Sequence, residues 1–127
     1  MTNGKISSYR DLKVWQSAIE ISVACYRMTQ AFPKAEVYGL TSQIRRCSVS
    51  ISANVAEGWG RESRGSFVQF LKMAQGSLKE LETHLIIAER VGLIGQQAVD
   101  DLLARCDENG KMLGGLIRTL QNRKFDE

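Results

Sequence analysis

The chain has 127 residues, 43% apolar and 24% charged, which suits one globular domain burying roughly two thirds of the surface its unfolded form exposes. No apolar run approaches the ~20 residues of a membrane span, and the polar stretch 1–10 lacks the apolar core of a secretory signal, so the expectation is a cytoplasmic protein with no membrane partner. The net charge of +3 belongs to the first half: residues 1–64 carry nine Lys/Arg against five Asp/Glu (+4), residues 65–127 eight against nine (−1), a bias compatible with an anionic partner.

Residues 1–7 read as a frayed tail. Ser8, with Asp11 three residues on, suits a helix start, the hydroxyl capping a free backbone N–H and the acid facing the positive end of the dipole. The first helix is expected over about 8–32, with apolar seams Val14, Ala18, Ile21, Cys25, Met28, Phe32 and, beside them, Leu12, Trp15, Ile19, Tyr26. Two seams make a face wider than one neighbouring helix covers. Either a bundle supplies two neighbours, or Trp15 or Tyr26 meets another subunit. Pro33 ends the helix, because the residue before proline avoids the α region.

The second helix, about 37–58, has the seam Leu40, Ile44, Cys47, Ile51, Asn54. One step round lie Gln43, Arg46, Ser50, Asn54 and Glu57, a line made wholly of hydrogen-bonding groups. Ser, Asn and Gln are indifferent helix formers, so such a line predicts partial burial. Gly58 and Gly60 are expected to let the backbone reverse. The connector from Gly58 to Gly65 holds Trp59, Arg61 and Arg64, residues that can stack on a base and clamp phosphates, or form a solvated turn with Trp59 packed on the bundle end.

The third helix, about 64–91, carries the clearest heptads: Phe67, Leu71, Ala74, Leu78, Leu81, Leu85, Ala88. Beside them runs Phe70, Met73, Ser77, Glu80, His84, Ile87, Val91, apolar at its ends and polar in the middle. If this line faces the second helix, Ser77 and Glu80 join Arg46, Ser50, Asn54 and Glu57 in a buried polar cluster; otherwise Glu80 and His84 line a wet groove or a subunit boundary. Gly92 suits the position just past the helix end. The fourth helix, about 96–122, has the seam Val99, Leu102, Cys106, Asn109, Leu113, Leu116, Leu120, with Asn109 as a register-fixing polar insertion, and Gly110 and Gly114 as points of close approach. Residues 123–127 read as a disordered tail.

Catalytic and metal templates fail at this level. The single histidine excludes a multi-histidine metal site, and no GxSxG, HExxH, P-loop or CxxC occurs, so neither catalytic residues, nor a metal, nor a cofactor is expected. Cys25, Cys47 and Cys106 are odd in number, widely spaced and placed on apolar seams, and they read as reduced core residues.

From residue 11 to residue 82, the segments DLKVWQSA, YRMTQAFPKAEVYGLTSQIRRCSVSISANVAEGWGR and FLKMAQGSLKELE closely resemble the four-helix-bundle proteins encoded within intervening sequences of bacterial 23S rRNA genes. The signature is Gln43-x-x-Arg46, then Ser50, Asn54, Glu57 and Gly58, then Gly76-Ser77-x-x-Glu80. The same bundle resembles the accessory protein of diversity-generating retroelements, a basic pentameric barrel that works with nucleic acid and a reverse transcriptase. The resemblance implies an all-α, up-down-up-down four-helix bundle that assembles with itself, as a pentamer, with no enzymatic activity assigned, and the expectation is a protein that is not an enzyme. The nearly neutral second half departs from the basic surface of that relative. Two functions stay open: an RNA- or DNA-associated oligomer using Arg45, Trp59, Arg61 and Arg64, with Lys13 also on the outer surface, or a scaffold for a protein partner with no direct nucleic-acid binding.

Overall fold

In the computed structural model, residues 5–122 are described; the expected tail at 123–127 and the first four residues of the one at 1–7 lie outside them. The described residues form four α-helices and no strand: α1 Lys13–Thr29, α2 Leu40–Trp59, α3 Arg64–Arg90 and α4 Gln96–Gln121. Each helix packs on its neighbour in sequence and α4 closes back onto α1. The short connectors make successive helices antiparallel, giving the up-down-up-down bundle.

Local chemistry sets the helix ends. Ser8 and Asp11 do form a capping box, but it caps a 3-10 turn over Tyr9–Asp11; Leu12 is extended (φ −74°, ψ 125°), so α1 starts at Lys13 rather than at Ser8. Backbone and side-chain hydrogen bonds from Ser7 and Ser8 hold the Asp11 carboxyl below its usual pKa. The regular helix also stops early, at Thr29, and a further turn carries the chain to Phe32 and Pro33. The Glu36 carboxylate accepts from the Leu40 amide at 3.1 Å and so caps the start of α2. Ser63 accepts from the Ser66 amide at 3.0 Å and caps α3. After α3, the Gly92 amide donates to the Glu89 carbonyl and the Leu93 amide to the Ala88 carbonyl, a Schellman motif with Gly92 at φ +84°.

The core follows the seams, with one systematic drift. In α3 every expected position from Leu71 to Ala88 is buried. In α4 the buried line runs Val99, Leu102, Cys106, Asn109, Leu113 and then Ile117, while Leu116 and Leu120 are half-buried. In α2 it runs Ile44, Cys47, Ile51 and then Val55, so Asn54 falls off the seam. Both shifts arise because a 3.6-residue helix drifts about 20° per heptad from a 3.5-residue repeat. A small-residue face on α2, of Thr41, Ser48 and Ser52, is also buried.

Gly58 has a different role from the one expected. It is buried inside α2, and a Cβ there would lie 2.7 Å from the Phe70 Cβ and 2.9 Å from the Phe67 ring. The glycine admits α3 against α2; the chain turns beyond it, with Gly60 in ordinary right-handed geometry (φ −76°, ψ −7°). On α4, a Cβ at Gly110 would sit 3.3 Å from the Leu78 side chain, whereas Gly114 meets only Arg118 of its own helix. Close approach therefore explains Gly110 and not Gly114.

Candidate functional site

The α2–α3 face holds most of the polar residues singled out in the sequence. Ser50 and Ser77 hydroxyls meet across the helices at 2.8 Å, and the Asn54 amide donates to the Ser50 carbonyl (2.8 Å) and hydroxyl (3.0 Å). All three residues are half-buried. Arg46, Glu57 and Glu80 do not join them: they are exposed, Glu80 with 51% of its side chain in solvent. Arg46 donates to the neighbouring Gln43, and Glu57 pairs with Arg61 at 2.7 Å. The expected six-residue buried cluster is thus a three-residue contact with a charged, open rim. Its long side chains escape to water because their line lies one step round from the buried seam, so no interior carboxylate needs compensation.

Cys47 borders the same face. Burial, followed by a hydrogen bond with Glu80 and the Glu80 charge, pushes its thiol up to about 11, while burial pushes Cys25 and Cys106 up to about 12. Cys47, Glu80 and His84 place a sulfur, a carboxylate oxygen and a ring nitrogen within 4.8 Å of one another. Sequence spacing paired Glu80 only with His84; the third donor comes from α2 through packing, 33 positions before Glu80, and no local pattern announces it.

The proposed nucleic-acid residues are already engaged within the chain. Arg45 Nε donates to Thr29 Oγ1 at 2.8 Å, its Nη2 reaches the Tyr26 carbonyl at 3.4 Å, and its guanidinium lies 4.5 Å from the Tyr26 ring centre. It complements the negative C-terminal end of α1, a structural task that periodicity did not signal. Trp59 is half-buried and packs edge-on against Phe67, with ring centres 6.1 Å apart at 87°. Arg61 pairs with Glu57 and lies 4.8 Å from the Phe70 ring centre. Arg61 and Arg64 nevertheless share a shallow hollow of about 270 Å³ at the bundle end, with Trp59, Phe67 and Leu120.

Elsewhere apolar side chains reach the surface at several places, Val37 and Tyr38 before α2 among them. Ile19, Val23, Tyr26 and Val49 line a groove of about 420 Å³ between α1 and α2. On α3, Met73, Ile86 and Ile87 are exposed, with Val91 just beyond the helix end. No helix among the described residues is long and apolar enough to cross a membrane.

Comparison with known proteins places this geometry. No sequence among curated proteins matches the chain. Among solved structures, a protein of unknown function from the S23 ribosomal protein family of Bacteroides thetaiotaomicron shares the fold, with a TM-score of 0.74 and 24% identity over 82% of this chain and 97% of that one. Residues 10–115 match the family model described as 23S rRNA-intervening sequence protein, and the chain belongs to that family.

Proposed function

We propose that this protein is a non-enzymatic bundle that assembles with copies of itself, as a ring of five, and associates with RNA or DNA through its basic residues. The supporting observation is the apolar α1–α2 groove together with Ile86, Ile87 and Val91, exposed near the C-terminal end of α3. Unlike surfaces favour a head-to-tail contact, which closes into a ring when the rotation permits and leaves neither patch in water. The number five rests on the family resemblance. Light scattering should report ~70 kDa, five times the 14.2 kDa chain, and Val49→Glu in the groove should shift the protein to smaller species. A concentration-independent monomer rules the assembly out.

The nucleic-acid part rests on the resemblance to the accessory protein of diversity-generating retroelements and on Arg61 and Arg64 at one end of each bundle, a site that a ring would repeat along one rim. Single-stranded RNA titrated at low salt should bind the parent, with affinity falling as salt rises. Arg61→Ala with Arg64→Ala should weaken binding and flatten the salt slope. The engagement of Arg45 and Arg61 inside the chain, and of Trp59 against Phe67, favours a second reading: a scaffold for a protein partner. RNA retention indifferent to salt and to both substitutions would select it.

A further inference from the structure

His84 presents an unusual situation for a polar side chain. Both of its ring nitrogens are buried and neither has a hydrogen-bond partner. Glu80 Oε2 lies 3.6 Å from Nε2, beyond hydrogen-bonding range. A desolvated, unpaired ring nitrogen is unfavourable, and native structures nearly always supply such a group with a partner. Beside this ring lie the Cys47 sulfur and the Glu80 carboxylate.

We propose that Cys47, Glu80 and His84 form a binding site for a borderline divalent transition metal, with Zn²⁺ the expected occupant. Glu80 and His84 lie one turn apart on the same face of α3, and Cys47 reaches them from the adjacent α2, so three ligands converge from two rigid helices. Metal–ligand bonds of about 2.0–2.3 Å place tetrahedral ligand atoms roughly 3.5 Å apart. Their present spread of up to 4.8 Å has to close by about 1 Å around a bound ion. A sulfur, nitrogen and oxygen donor set favours Zn²⁺ and Co²⁺ over Mg²⁺ and Ca²⁺. Binding releases the thiol proton to solvent; thiolate, carboxylate and neutral imidazole then balance the +2 ion. Glu80 is half exposed, so solvent can supply the fourth ligand.

The test uses the full-length, reduced, chelator-treated protein titrated with Co²⁺ alone. The parent should take up one ion per chain and develop thiolate-to-cobalt charge-transfer absorption, which added Zn²⁺ abolishes. Cys47→Ser should lose that band and Cys25→Ser should keep it. His84→Gln and Glu80→Gln should each weaken Co²⁺ binding by about tenfold or more. Zn²⁺ should raise the melting temperature of the parent and not of His84→Gln. Glu80 is on the surface, so its variant keeps the test valid even if Cys47→Ser fails to fold. A parent without the band overturns the proposal, as does a band unchanged by His84→Gln and Glu80→Gln; the three residues would then be neighbours in the packing of α2 on α3 and nothing more.

Discussion

Asn109 and Asn54 both read in the sequence as polar insertions in apolar seams, yet the bundle treats them differently. Asn109 is fully enclosed between α4 and α1, its amide donating to the Val14 carbonyl at 3.1 Å and the Ser17 hydroxyl at 3.2 Å. Asn54 is half-buried, on a line whose neighbours Arg46 and Glu57 are exposed. The residue type is the same and the phase differs. Asn109 keeps to the buried line of α4, whereas the buried line of α2 has moved on to Val55 by the time Asn54 is reached. A seam amide is thus a structural lock when helical drift leaves it in phase, and a half-buried residue when it does not.

Asn109→Ala attacks the sealed side of this comparison and should have the largest effect. It removes two interhelical hydrogen bonds and leaves a void, so a loss of about 2–4 kcal/mol is expected in urea unfolding, whereas Asn54→Ala should lose about 1 kcal/mol or less. Equal losses at the two positions would erase the distinction. Gly58→Ala tests how closely α3 must approach α2: its methyl would collide with the Phe70 Cβ, and overpacking of this kind should destabilise by about 1–3 kcal/mol. A neutral result would mean that the helices separate freely there.

The thiols sharpen the contrast without mutation. In metal-free protein near pH 9, the folded-state pKa of about 11 for Cys47 against about 12 for Cys25 and Cys106 leaves Cys47 with the larger thiolate fraction. Alkylation monitored by peptide mass spectrometry should modify Cys47 faster than Cys25 or Cys106, and all three faster as pH rises. Uniform rates would indicate modification through global unfolding. The smallest effects are expected at the exposed charges, where Arg46→Ala and Glu80→Ala should each change stability by ~0–1 kcal/mol in the absence of metal. A buried cluster would have required about 3–5 kcal/mol, so a thermal melt distinguishes the two directly.

Much of the fold was legible because it repeats. The heptads from Leu71 to Ala88 and the Gly92 stop require only counting, and the Asn109 insertion stood out against aliphatic neighbours. Less of the candidate site was legible. Glu57 and Glu80 read as interior because they share a line with Ser50 and Ser77, but a 20° drift per heptad and long, flexible side chains decide exposure, and a template with fixed steps carries neither. Gly58 read as a turn because two glycines stand close together, whereas its use depends on Phe67 and Phe70 arriving from another helix. Arg45 read as a surface cation, although Thr29 and Tyr26 hold it against the end of α1. The Cys47–His84 approach joins distant positions and becomes visible only once α2 and α3 are packed.

The connector between α2 and α3 is four residues, Gly60 to Ser63, and it joins helices of 20 and 27 residues. Closing so short a loop sacrifices little chain entropy, and the contacts it brings together have low sequence separation, the condition for fast folding. The α2–α3 hairpin is therefore expected to form the folding nucleus, with α1 and α4 docking afterwards. Substitutions at Ile51 or Leu78 should slow refolding nearly in proportion to the stability they remove, while Asn109→Ala should chiefly accelerate unfolding. The glycine that lets the two helices touch then governs how quickly the bundle assembles as well as how firmly it holds.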